Sequence, residues 1–205
     1  ALNTDTPATP IGHQAATLAH TSNLYFHPLQ GELAARLSAL TGLERAFFCN
    51  SGTEANEACL KFARRYWHTR GEMSRTKYVA FTHSFHGRTM GALSVTWDDH
   101  YRAPFAPLVP GVQFVSPNDP DALLAAVSET TGAIILEPLQ GEGGVRPFSQ
   151  RMADAVKEAC RRTGALVERV ELERGMLDPV AEHPVVAGLL QDGQGVCIQS
   201  DDDHG

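Results

Sequence analysis

The sequence predicts an α/β fold, a mostly parallel sheet covered by helices on both faces. Three observations carry that prediction. Short apolar runs alternate with segments of helical period between residues 33 and 166, the pattern of strands joined by helical crossovers. The clearest unit, residues 45–69, passes from an apolar run through a glycine turn directly into a capped helix. The three turns richest in glycine and polar residues, 49–54, 82–88 and 137–144, each follow a predicted strand. Ligands gather at the carboxyl ends of strands in such folds.

The elements follow in order. Residues 1–22 are polar and turn-rich (Pro7, Pro10, Gly12) and show no helical or strand period. Leu33, Leu37 and Leu40 keep the spacing of one helix face, and Gly42 stands where a helix-ending glycine belongs. Arg45 to Cys49 reads as a short buried strand. Ser51 with Glu54 forms a capping box, and Ala55, Cys59, Phe62 and Tyr66 then give one apolar face. Strands are predicted at Lys77–Phe81, Val112–Val115 and Ala133–Glu137, with a short helix or turn over Gly87–Ser94 and a helix over Pro120–Val127. Ser149–Arg162 is predicted helical, with Met152, Val156 and Cys160 on one face and Gly164 closing it. Ala165–Leu172 reads as a strand, after which the pattern weakens. A domain boundary is placed near residue 165, dividing residues 1–165 from a poorly defined segment, 166–205.

A length of 205 residues fits one large domain or one domain with an appendage. Apolar residues at 42% and charged residues at 20% lie inside the globular range. Lys and Arg number 17 against 24 Asp and Glu, a net charge of −7, so a nucleic-acid or anionic-membrane binder, which needs a basic face, is not expected. Four scattered cysteines without C-x-x-C spacing argue against a zinc ribbon, a redox dithiol or a secreted disulfide scaffold, and point to reduced thiols in the cytoplasm. Ala133–Leu136 is the longest aliphatic run, far short of a membrane span. No signal peptide is expected from the first twenty residues. The missing initiator Met points to a processed, excised or truncated start.

Three stretches carry chemistry. Asn50-Ser51-Gly52-Thr53-Glu54-Ala55-Asn56 places a glycine and two hydroxyls at a helix N-terminus, which suits an anion, and equally suits an ordinary capped helix. His83-Ser84-Phe85-His86-Gly87-Arg88-Thr89 offers an aromatic face for a planar heterocycle and a guanidinium that can fork onto a carboxylate. The alternative leaves Phe85 in the core and Arg88 as a surface charge. His83 and His86 have no adjacent acidic or cysteine partner, so no metal site is expected. Glu137-Pro138-Leu139-Gln140-Gly141-Glu142-Gly143-Gly144-Val145 puts a carboxylate at a strand end before a flexible loop, without the Lys-Ser/Thr of a Walker loop. No G-x-S-x-G elbow or H-E-x-x-H is present.

In this order, these stretches, with His20–Tyr25 and the helix ending Ala159–Gly164, resemble the class III pyridoxal-phosphate aminotransferases, especially the acetylornithine and ornithine branch. The resemblance covers residues 16 to 166 or so and implies a fold-type I large domain, present incompletely. It implies that Ser51, Gly52 and Thr53 hold the phosphate of pyridoxal 5'-phosphate and that Phe85 stacks on its ring. It further implies that Arg88 binds the substrate α-carboxylate, that Glu142 lies near the substrate's amino end, and that Tyr25 stands on the substrate side. The implied substrates are N-acetylornithine or a related ω-amino donor, with 2-oxoglutarate as acceptor. The implied assembly is a homodimer.

The departures are as informative. Members are nearly double this length. Beyond the helix ending near Gly164 they continue to an Asp that pairs with the pyridinium nitrogen, and much later to the lysine that forms the Schiff base. Ungapped continuation puts Val170 in the Asp slot, beside Glu171, while Val167–Asp178 also resembles the family's C-terminal small domain. The only lysines are Lys61, Lys77 and Lys157. The lysine and the acidic partner drive the chemistry, so this chain as written is expected not to transaminate. Two alternatives stand beside that reading: a non-catalytic module binding the cofactor or another anion, and an assembly remnant pairing with an intact paralogue.

Overall fold

The computed structural model describes residues 9–22, 24–41, 43, 45–169, 185–191 and 194–199. In chain order the elements are α1 (Thr9–Thr17), α2 (Pro28–Thr41), β1 (Arg45–Phe48), α3 (Gly52–Thr69), β2 (Lys77–Phe81), α4 (Met90–Val95) and α5 (Asp99–Arg102). A 3₁₀ turn at Ala103–Phe105 precedes β3 (Val112–Val115), α6 (Pro120–Ala126), β4 (Thr131–Leu136), β5 (Leu139–Gln140) and β6 (Arg146–Pro147). The chain then forms α7 (Gln150–Thr163), β7 (Leu166–Arg169), β8 (Val185–Gln191) and β9 (Gln194–Gln199).

Seven strands form one sheet in the order β1-β9-β8-β7-β4-β2-β3. The pairs β3/β2, β2/β4, β4/β7 and β7/β8 are parallel, and β9 runs antiparallel to both its neighbours. A mostly parallel sheet is therefore what the molecule contains. Its strands alternate sides residue by residue, and the core divides accordingly. Val79, Phe81, Ile134, Leu136 and Val167 pack with Leu123, Met152, Val156 and Cys160 of α6 and α7. Tyr78, Ala80, Ala133, Ile135 and Leu166 pack on the opposite face with Leu60, Ala63 and Trp67 of α3 and Val95 of α4. This is a three-layer arrangement, and β4, an interior strand between β7 and β2, is buried at every residue.

The local signals explain the element ends. Ser51, Asp119 and Ser149 each accept a backbone N–H from the first turn of α3, α6 and α7. Gly164 adopts φ 74°, a left-handed conformation that costs glycine little, and its N–H closes α7 on the Cys160 carbonyl. Trp67 is fixed by its Nε1–H, which donates to the Gly132 carbonyl at 2.8 Å, and by Arg75 stacked 4.1 Å over its ring.

Several features differ from the sequence reading: β1, expected to be buried, is exposed or half-buried along its length, and β8 and β9 form beyond residue 172, where the sequence pattern weakens. α1 occupies a stretch that shows no period, because it is an exposed helix: Ile11, its one large apolar residue, is 74% exposed, so no stripe is needed. α5 and the β5/β6 hairpin are too short to carry a period. The predicted strand at 133–137 begins earlier and ends at Leu136, leaving the Glu137 side chain to serve the following loop. Gly42, Val170 and Glu171 lie outside the described residues.

Candidate active site

The ends of β1, β2 and β4 bring the three sequence stretches together. At the first, the Ser51 hydroxyl accepts the Glu54 N–H at 3.2 Å. The Glu54 carboxylate returns to the Asn50 N–H at 2.8 Å, one residue earlier than an ideal capping box. Gly52 and Thr53 occupy the first two helical positions, where the N–H groups have no intrahelical acceptor. The Ser51 hydroxyl, used here as an acceptor, keeps its own proton to donate.

The second stretch is seated on the first. Gly87 adopts φ 127°, and a Cβ built there would fall 2.4 Å from Thr53 Oγ1 and 2.7 Å from Thr53 Cγ2. Only a residue without a side chain permits that approach. Asn56 of α3 donates through Nδ2 to the His86 carbonyl at 2.6 Å. The His86 N–H donates to Thr96 Oγ1 at 2.9 Å. Glu57 receives the Thr89 hydroxyl at 2.5 Å and the Gly91 and Ala92 N–H groups at 2.7 and 3.2 Å, which clamps the start of α4 to α3.

The third stretch is joined to the second by Glu137. Its Oε1 accepts the Phe85 N–H at 2.9 Å and its Oε2 accepts the Gly141 N–H at 3.3 Å. Gln140 adds a bond from Nε2 to the Thr82 carbonyl at 2.8 Å. One buried carboxylate thus holds two walls of a single opening.

That opening is a cavity of about 350 Å³ lined by Phe85, Arg88, Trp97, Asp98, Tyr101 and Glu142, among others. Phe85, Arg88 and Glu142 therefore meet in one place. Ser51, Gly52 and Thr53 do not line it; of the three, Thr53 lies against Gly87, in the loop that does. Tyr25 is 69% exposed and does not line it either. His86 points inward: its ring is buried, neither ring nitrogen has a hydrogen-bond partner, and burial pushes its pKa down to about 3, so it is neutral. Among the described residues no cluster of three or more His, Cys, Asp or Glu side chains could hold a metal ion.

The sequence reading missed Trp97, Asp98, Tyr101 and the bracing role of Glu137. One signal was available for the first three. Asp98 caps α5 by accepting the His100 N–H, and an Asp ahead of a short polar helix is a readable N-terminus. Nothing in the spacing shows that this turn faces the cavity.

A three-layer sheet with anion-ready, aromatic and guanidinium groups converging at its strand ends defines a class of protein. The chain belongs to the class III aminotransferases, whose family pattern, Aminotransferase class-III, matches residues 8–176. Within that family it is similar to the acetylornithine aminotransferase of Archaeoglobus fulgidus, at 48% identity over 165 residues, covering 80% of this chain and 42% of that protein. It is also similar to the mitochondrial acetylornithine aminotransferase of Debaryomyces hansenii, at 46% identity, covering 81% of this chain and 37% of that one. The chain spans about two fifths of the length of these relatives.

Among solved structures, an amine transaminase from an uncultivated Pseudomonas species, in its PLP-bound form, superposes with a TM-score of 0.81 at 26% identity, over 94% of this chain and 53% of that one. A transaminase from the marine bacterium Virgibacillus reaches 0.85 at 21% identity, over 95% and 50%, a likeness of fold. The fold is that of the fold-type I transaminases. No helix among the described residues is long and apolar enough to cross a membrane.

Proposed function

We propose that this chain is the cofactor- and carboxylate-binding portion of a cytoplasmic acetylornithine-type aminotransferase. N-acetylornithine or a related ω-amino donor would be its amino substrate and 2-oxoglutarate the acceptor. The observation that carries the reading is the seating of Gly87 on Thr53. It ties the loop that carries Phe85 and Arg88 to the N-terminus of α3. Phosphate suits that terminus, which offers backbone donors, hydroxyls and the positive end of the helix dipole. Ser51, Gly52 and Thr53 would hold it, and Phe85 would cover the heterocycle. Arg88 would take the α-carboxylate, while Glu142, across the cavity, would face the amino end. Tyr25 would join the substrate side in the assembled enzyme. Residues 1–165 would make up most of the partial large domain, with β7, β8 and β9 of the 166–205 segment adding strands to the same sheet.

Pyridoxal phosphate supplies an aldehyde and an electron-accepting ring when bound. The residues fit its phosphate and its ring but not its covalent anchor. Lys61 and Lys77 are exposed, Lys157 lies on α7, and none of the three lines the cavity. We therefore expect these 205 residues alone to bind the cofactor reversibly, through the cradle, without transamination. Absorption spectra with added pyridoxal phosphate, before and after borohydride, followed by peptide mass spectrometry, test this. Saturable binding with no reduced lysine adduct, weakened by Thr53→Arg, is expected. A single stoichiometric lysine adduct, or turnover by contaminant-free protein, would sink it.

The partner we propose is a second copy of this chain. Leu24 is 88% exposed and Phe26 105%, and Leu29 and Leu33 on α2 are about half exposed, a run too apolar to face water alone. Sedimentation should show a dimer that dissociates on Phe26→Glu. A monomer at every loading concentration rules the proposal out.

A further inference from the structure

Ion pairs join Arg36 to Glu32, Arg75 to Glu72, Arg102 to Asp99, Arg151 to Asp121 and Arg161 to Glu158. Arg88 is held differently. Among the described residues no carboxylate lies within ion-pairing distance of its guanidinium, although Asp98 and Glu142 line the same cavity. Its central carbon instead lies 4.4 Å from the centroid of the Tyr101 ring and 5.9 Å from that of Phe85. The two rings themselves meet edge to face, centroids 6.4 Å apart at 75°.

Tyr101 is itself fixed. Its N–H donates to the Asp98 carbonyl at 3.1 Å, and the His100 ring packs against it at 5.4 Å. The Trp97 N–H donates to the Ser84 carbonyl at 3.0 Å, which registers residues 97–101 against the 82–88 loop. The consequence is chemical. A carboxylate partner would neutralise Arg88 and compete with any incoming anion. An aromatic face restrains the guanidinium through the ring quadrupole and leaves its N–H edge and its full charge available.

We propose that Tyr101 is a positioning residue for carboxylate recognition: its ring face holds Arg88 in the cavity with its charge unpaired, and so sets the preference for ligands that carry a carboxylate. The inference rests on the assignment of Arg88 as the carboxylate site and adds the group that makes it selective.

The test compares two probes that differ by the carboxylate alone, N-acetyl-L-ornithine and N-acetylputrescine, by NMR titration of the full chain. The unaltered chain should favour the first. Tyr101→Trp and Tyr101→Phe should keep most of that preference, because each retains a ring face. Tyr101→Leu should lower it about three- to fivefold, the scale of an accessible cation–π contact. A ligand-free reading accompanies it: the Arg88 Nε–H resonance, shielded by the ring, should move to an ordinary position in Tyr101→Leu and stay in Tyr101→Phe. If Arg88→Ala leaves the preference intact, or the unaltered chain has none, the carboxylate assignment itself fails and takes this inference with it. If Arg88→Ala abolishes the preference while Tyr101→Leu matches the unaltered chain, only the role of Tyr101 is overturned. A loss in Tyr101→Phe equal to that in Tyr101→Leu also overturns it, since the hydroxyl would then be the active feature.

Discussion

Acidification from pH 7.5 to 4.5 is expected to destabilise the folded chain steeply through one side chain, His86. Its ring is 2% exposed and its nitrogens have no acceptor or donor to meet, so burial pushes the pKa from 6.5 down to about 3. The unfolded chain binds a proton below 6.5 that the folded chain refuses. Stability from this residue is therefore complete above pH 6.5 and drains as the pH falls, at about 1.4 kcal/mol per unit, levelling off below pH 3. At full expression the loss is roughly 4–5 kcal/mol, a large part of a typical domain stability of about 5–15 kcal/mol. The measurement is the difference in urea midpoint between the unaltered chain and His86→Leu across this range. Carboxylates titrate in both proteins and cancel in the difference. The backbone bonds of residue 86, to Thr96 and from Asn56, survive the substitution. The variant should lose the slope between pH 6.5 and 4.5. Parallel profiles would mean that the ring is solvated or partnered in solution.

His86 also marks where sequence reading stops. The layered fold was legible because its signals are local and repetitive: the Ser51–Glu54 cap, the Met152, Val156 and Cys160 stripe, and the unbroken apolar stretch at 133–136 that becomes a fully buried interior strand. Phe85, Arg88 and Glu142 were legible as chemical types at strand ends, and the sheet topology brings them to one cavity. The direction of a loop side chain has no period to betray it. His86 lies between Phe85 and Gly87, with the same apparent exposure in sequence, yet its ring is sealed inside. Tyr101 lies in a four-residue helix, and its meeting with Arg88 depends on the Trp97–Ser84 hydrogen bond, which no spacing rule encodes. Glu137 reads as a strand-end carboxylate. Its use of both oxygens to join two loops appears only when those loops stand side by side.

Gly87→Ala is expected to damage stability and anion binding together, and Thr53→Gly should restore part of the first without the second. Two costs act at residue 87. A φ of 127° suits glycine and strains an L residue by about 1–3 kcal/mol. The added Cβ would also collide with Thr53 Oγ1, Cγ2 and Cβ, all within 2.9 Å, an overpacking cost of about 1–3 kcal/mol. Thr53 sits on the first turn of α3 and cannot retreat without shifting the helix start. The expected total is about 2–6 kcal/mol, seen as a lower urea midpoint. Removing the Thr53 side chain relieves the collision and leaves the φ strain, so the double variant should recover roughly half. Pyridoxal phosphate affinity should fall at least about tenfold in Gly87→Ala, because Thr53 would be displaced from the cradle, the equivalent of some 1.4 kcal/mol. It should stay low in the double variant, which lacks the hydroxyl. Additive rather than coupled stability changes would show that residues 53 and 87 do not touch. In that event the 82–88 loop is not seated on the helix terminus, and the phosphate-and-carboxylate reading of the site loses its geometric basis.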